Sequence, residues 1–215
     1  SKADAERQDG IDTFEDKDIV FQDISYDQLI QLLGQEGNYL IQLSGSWCHN
    51  SRAMSPYVNA YAKEYGIDTI YSYDFNVDNG DDGSMFVRMS NEKTTLGTKY
   101  NYMYGEFVSR YLTNLDDWIA YPSDHDTALS YTNAEGKEVT VGRLQQPIIF
   151  LYNKDNQTDY SGKGNTSGKC PIMYAFEEMV DRDSKGLYVK ETDDEGNPVL
   201  DKDGNEIDKW TSVKG

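Results

Sequence analysis

The spacing of apolar positions along this chain changes several times, and each change marks an element. Ile19, Val20 and Phe21 form a short run of strand type. Ser25 and Gln28 then stand at capping-box spacing ahead of YDQLIQLLGQEG, where Leu29, Ile30, Leu32 and Leu33 share one helical face. Gly34 or Gly37 can end that helix. NYLIQLSGS is an apolar run of strand length. After Cys48, residues Met54, Tyr57, Val58, Tyr61 and Tyr65 recur at helical spacing, and Pro56 inside this segment should kink it. IDTIYSYDFNVD alternates broadly and predicts a third strand. This order of strand, helix, strand, helix, strand predicts a parallel α/β unit with right-handed crossovers.

The rhythm breaks over 79–146. NGDDGS is a turn-rich loop. GEFVSRYLTNLDDWIAY places Phe107, Val108, Tyr111, Leu112, Leu115, Trp118 and Ile119 on one stripe and predicts an amphipathic helix. ALSYTNAEGKEVTVGRL predicts a hairpin turning at Ala134–Gly136. PIIFLYNKDNQTDYSG reads as a strongly apolar strand, a polar turn and a weaker strand. CPIMYAFEEMVDRD predicts a last helix with Pro171 in its first turn. In the tail, turn signals at Glu195–Gly196–Asn197 and Asp203–Gly204 separate short apolar pieces. It reads either as a peripheral hairpin or as a partly disordered segment. No internal repeat stands out.

Composition narrows the function classes. Of the 215 residues 37% are hydrophobic, with seventeen tyrosines, which suits a compact centre carrying long polar loops. The formal net charge of −18 repels phosphate backbones and anionic membrane surfaces, so nucleic-acid binding is not expected. No apolar run approaches the roughly 20 residues of a membrane span. Residues 1–17 are polar and read as a linker, and no leader is visible. Two cysteines are too few for a disulfide scaffold, and form either one bridge or two free thiols.

The strand YLIQL leading into GSWC, Pro56 within the helix that follows, the strand YSYDFNVD, and QPIIFLYNKDNQ together resemble the thioredoxin-like superfamily. The resemblance spans about residues 18–78 and 146–185. It implies an α/β thioredoxin-like fold, a central mixed sheet flanked by helices, over 18–185. A helix-plus-hairpin insertion, about 79–145, falls between core strands 3 and 4, and 186–215 form an acidic C-terminal extension. It implies no cofactor. Its partners would be protein thiols or disulfides, in an extracytoplasmic, cell-surface or secreted bacterial setting, with any lipid anchor upstream of this chain.

The resemblance also assigns roles. Cys48 would be the nucleophile at a helix N-terminus, where unpaired N–H groups and the helix dipole favour a thiolate and thiol pKa values fall to roughly 3.5–7.5. His49 adds charge when protonated. Pro147 reads as a cis-proline that positions an extended substrate, with Trp47 and Gln146 lining the site. Three departures bear on chemistry. The second cysteine of Cys-x-x-Cys is Ser51, Gln42 stands where many relatives carry a buried acid, and Gln146 precedes the proline where a β-branched residue is common. A hydroxyl cannot resolve a mixed disulfide, so a Cys-x-x-Ser site resembles monothiol exchangers. The resemblance further implies that Cys170, at the start of the last helix, lies near Cys48 as a bridging or resolving partner. The rival expectation is a redox-inactive binding module that uses the insertion as its interaction surface.

Other constellations are weaker. Asp74, Asp78, Asp81 and Asp82, and then Asp201, Asp203 and Asp208, crowd two loops without the full spacing of a calcium loop. His49 and His125 lack tight ligand spacing with either cysteine, so no metal is expected.

Overall fold

Ser25 Oγ accepts the backbone N–H of Gln28 at 3.3 Å, and the Gln28 side chain accepts that of Ser25 at 2.8 Å. This reciprocal pair starts helix α1, Tyr26–Leu33. The computed structural model describes residues 18–45, 48–75, 94–95, 99–126, 128–181, 183–185 and 187–212. The expected linker 1–17, Trp47, the side chain of His49, and Asp78, Asp81 and Asp82 lie outside the described residues.

The protein is mixed α/β. Its main sheet has six strands in the order β1 (Phe21–Asp23), β3 (Ile70–Asp74), β2 (Tyr39–Ser44), β7 (Ile148–Tyr152), β8 (Ile172–Val180) and β9 (Trp210–Ser212). β1, β3 and β2 are parallel, whereas β7, β8 and β9 each run antiparallel to the preceding neighbour. A second sheet joins β4 (Thr94–Thr95), β5 (Leu129–Thr132) and β6 (Glu138–Val141). The layout of the main sheet is compatible with a thioredoxin-like arrangement.

Alternation along β2 decides which helix meets which face. Ile41 and Leu43 join Ile148 and Phe150 of β7 against Leu29 and Leu33 of α1 and Phe107 of α3 (Lys99–Tyr111). On the opposite face Leu40 packs with Ile70, Val20 and Ala62, the last from helix α2 (His49–Glu64), which runs unbroken through Pro56. No second helix covers that face among the described residues. An apolar groove of about 480 Å³ opens there over Leu40, Ile149 and Phe176, walled by Tyr61 and Trp210.

Three expectations are corrected. The segment 170–183 is not a helix: Ile172–Val180 is strand β8, paired along β7. A register shift at Leu151/Tyr152 inserts one residue and breaks the period-2 alternation that would have marked a strand. The helix expected over 105–121 ends at Tyr111. Asn114 ends it by turning its carboxamide onto the backbone of Ile172, donating at 2.9 Å and accepting at 3.0 Å. Leu115–Asp117 then form a short 3₁₀ turn that still buries Leu115 and Ile119. The weaker strand after β7 is a loop folded round Asp159, whose carboxylate accepts the N–H groups of Ser161, Gly164 and Asn165.

The hairpin β5–β6 turns at Asn133–Lys137, where Asn133 Oδ1 accepts the N–H groups of Glu135 and Lys137. The tail repeats that turn. Asp183, Asp193 and Asp201 each accept, through Oδ1, the N–H groups two and four residues on. Gly136, Gly196 and Gly204 take φ of 76°, 85° and 85°, the left-handed position of a type I turn with a G1 bulge. So the tail is neither one hairpin nor irregular. Its arms close on each other in rings: Glu191 N–H donates to Ile207, Ile207 to Val199, and Val199 back to Glu191. Asp181, Lys209 and Val189 form a second ring.

Gly105 sits in α3 where an added Cβ would run into the ring of Tyr131, itself 2% exposed. Gly105→Ala gains about 1 kcal/mol of helix propensity, but overpacking a fixed ring costs about 1–3 kcal/mol. We expect a net loss of about 1 kcal/mol in urea unfolding; an increase in stability would refute the packing argument.

Candidate active site around Cys48

β2 delivers the chain to Gly45, whose carbonyl accepts the N–H of Cys48 at 2.8 Å. Cys48 is the N-cap of α2, with φ −81° and ψ 120°, and its own carbonyl accepts the N–H of Arg52 at 3.1 Å. The sulfur thus stands at the positive end of a sixteen-residue helix. β7 lies beside β2 with Leu43 opposite Ile148, which brings the residues before β7 to the same end of the sheet. The Gln146–Pro147 peptide is cis, and the Cys48 thiol donates to the Gln146 carbonyl at 3.6 Å. Cys48 is only 8% exposed.

The segment leading into Pro147 is held by buried side chains at successive backbone groups. Tyr104 Oη donates to the Gly142 carbonyl at 3.0 Å and accepts the Leu144 N–H at 3.2 Å. Glu177 Oε1 accepts the Gln145 N–H at 2.6 Å. Cys48 takes the Gln146 carbonyl. Burial raises the Tyr104 phenol far above its ordinary range, so it stays a hydroxyl.

Buried polar atoms without partners gather here. Gln146 is 5% exposed, yet among the described residues neither its Oε1 nor its Nε2 has a hydrogen-bond partner. Glu177 is fully buried, and its Oε2 has none either. Each such atom costs about 1–3 kcal/mol. A carboxamide with a free donor and a free acceptor complements a peptide group.

Behind Cys48, Ser51 Oγ is buried and accepts the Gly45 N–H at 3.3 Å. Gln42 is 3% exposed, with Oε1 unpartnered. It lines a polar cleft of about 540 Å³ together with Ser44, Ser51, Arg52, Ser72 and Asp74.

Cys170 does not join this site. Because 172–180 is a strand, Ile172 pairs with Tyr152 at the far end of β7, and Glu177, not Cys170, comes to Ile148. The four steps from Ile148 to Tyr152 span about 13 Å, beyond the roughly 7 Å a disulfide allows. Both cysteines are free thiols. Cys170 is fully buried, and burial pushes its thiol pKa up, with smaller contributions from Asp159 and Asp117. Among the described residues no group of three or more His, Cys, Asp or Glu could hold a metal ion. The His125 ring instead packs edge-on against Tyr121 at 5.2 Å. Asp201 spends its carboxylate on the Asp203 and Asn205 N–H groups.

Glu177 and Tyr104 escaped the reading of the sequence. Glu177 falls in the segment 170–183 that was read as a helix. Once 172–180 is a strand, it shares the inward face with Ala175 and its burial follows. No family model, no curated protein and no solved structure matches this chain.

Burial raises the Glu177 carboxyl from its ordinary 4.5 to about 8, opposed by the hydrogen bonds from Gln145 and Ala120. Between these values the folded chain holds a proton that the unfolded chain has lost. Its stability contribution is therefore complete below about pH 4.5 and is lost as pH rises through about 8. Glu177→Gln, which keeps the acceptor, should remove that fall. We expect the variant to exceed the parent by a few kcal/mol at pH 9, on the order of 4, in urea unfolding, and to match it near pH 4.5. Equal stabilities at both pH values would contradict a buried neutral carboxyl. In the native state iodoacetamide should label Cys48 before Cys170, and denaturation without reductant should release two labelled sites; no labelled site until reductant is added would reveal a bridge.

Proposed function

We propose that this chain is a thioredoxin-like protein that performs thiol–disulfide exchange on extended protein segments through Cys48. One observation carries the reading: Cys48 stands at the N-cap of α2 and its sulfur lies 3.6 Å from the carbonyl of a cis X–Pro turn brought from a distant strand. Chemically, the Cys48 thiolate attacks one sulfur of a substrate disulfide. An S–S bond forms to Cys48 as the substrate S–S bond breaks, and the leaving thiolate takes up a proton. Ser51 cannot attack the mixed disulfide, and Cys170 lies at the other end of the sheet. Resolution therefore falls to a second thiol, from the substrate or from a small-molecule thiol, which displaces Cys48 as thiolate. No net oxidation or reduction of the pair occurs. The unspent carboxamide of Gln146 supplies a donor and an acceptor for the substrate backbone. An extracytoplasmic bacterial setting, where disulfide-bearing substrates occur, belongs to the same proposal.

A second reading has its own support. Cys48 is 8% exposed, and Gln42 cannot exchange a proton. These fit a module that keeps the scaffold and binds without chemistry.

The test is reaction with oxidised glutathione at pH 7, followed by mass. The exchange reading expects a mixed disulfide on Cys48 that added reduced glutathione reverses. Cys48→Ala should abolish it, and Cys170→Ala should leave the rate within about twofold. Reaction no faster than that of an unfolded control peptide carrying the same motif would favour the binding module.

A further inference from the structure

We propose that Glu177 is the positioning residue of the Cys48 site, fixing the Gln145–Pro147 turn so that the Gln146 carbonyl is held on the sulfur. The inference rests on reading Cys48 as the working thiol. β8 sets Glu177 directly opposite Ile148, the first residue of β7. From there its carboxyl reaches back to the Gln145 N–H at 2.6 Å, one residue before the carbonyl that meets the thiol at 3.6 Å.

The hydrogen bond from the Gln145 N–H favours a negative charge on Glu177, but the cost of burial outweighs it. Glu177 acts on the Tyr104 hydroxyl of α3, as do Asp116 of the 3₁₀ turn and Arg143 before β7. The neutral carboxyl keeps the Gln145 bond in place. An ionised carboxylate in the same dry position draws water toward itself and loosens the turn. Seating of the Gln146 carbonyl on Cys48 is thereby coupled to the proton on Glu177. The sequence has no acid at Gln42; Glu177 supplies one that acts on the sulfur through the Gln145–Gln146 backbone.

The experiment is the rate of Cys48 alkylation by iodoacetamide from pH 5.5 to 9.5, in a Cys170→Ala background, for the parent, Glu177→Gln and Glu177→Leu. The parent should show a second ionisation besides that of the thiol, and Glu177→Gln only one. Parent and Glu177→Gln should agree within about twofold at pH 6 and differ by at least about threefold at pH 9, the effect of half a pKa unit. Glu177→Leu, which lacks the acceptor, should depart from the parent at both. Superimposable profiles for all three overturn the proposal. If a variant does not fold, infrared difference spectra of the parent between pH 6 and pH 9 decide instead: loss of a protonated-carboxyl band in step with the alkylation change supports it, and absence of such a band at pH 6 overturns it. Failure of the parent to exchange with oxidised glutathione would sink the exchange reading alone, since alkylation reports the turn whether or not the thiol exchanges.

Discussion

Six consecutive residues, Gly142–Pro147, carry the arrangement on which the site depends. Apart from the bridge of Arg143 to Tyr121, their backbone pairs with no strand until β7 begins, and side chains meet several of its polar groups. Tyr104 meets two of them, Glu177 a third, and the Cys48 thiol a fourth. The three side chains come from α3, β8 and the start of α2. The turn therefore reports on the assembly of the whole domain: the insertion, the last long strand and the helix after β2 must all be in place before the carbonyl of Gln146 can face the sulfur.

Sheet order explains why these elements meet. With β2 next to β7 in antiparallel register, the exit of one strand lies beside the entrance of the other. Cys48 and Pro147, almost a hundred residues apart in sequence, become neighbours because Leu43 pairs with Ile148. The same geometry sends Cys170 away. β8 enters beside the exit of β7, so a cysteine just before it is carried to the opposite rim. Strand against helix at residues 172–180 thus decides between a second thiol at the site and a buried acid at the site.

Local signals in the sequence were legible where local interactions fix the structure. The capping box of α1, the hairpin turn at Asn133, the apolar strands β2 and β7, and the X–Pro step at Gln146 each announce themselves within a few residues. Ile172–Val180 was not legible, because a register shift hides its alternation and Pro171 imitates a helix start. The end of α3 was not legible either: Leu115 and Ile119 continue the helical stripe, yet Asn114 is taken by a partner fifty-eight residues away. Glu177 was hidden for the same reason, since its burial is a property of β8 and not of its neighbours in sequence. The tail repeat was overlooked because its aspartate-led turns at Asp183, Asp193 and Asp201 lie eight or ten residues apart, and only their shared hydrogen-bond pattern makes them alike.

The two backbone rings of the tail have a topological consequence. In a hairpin ladder the outermost rung can fray while the others persist. In a closed cycle such as Glu191, Ile207 and Val199, every member is both giver and receiver, so withdrawing any one strands a donor on one neighbour and an acceptor on another. The unit has no outermost rung: it melts as a whole, from whichever arm the pull is applied.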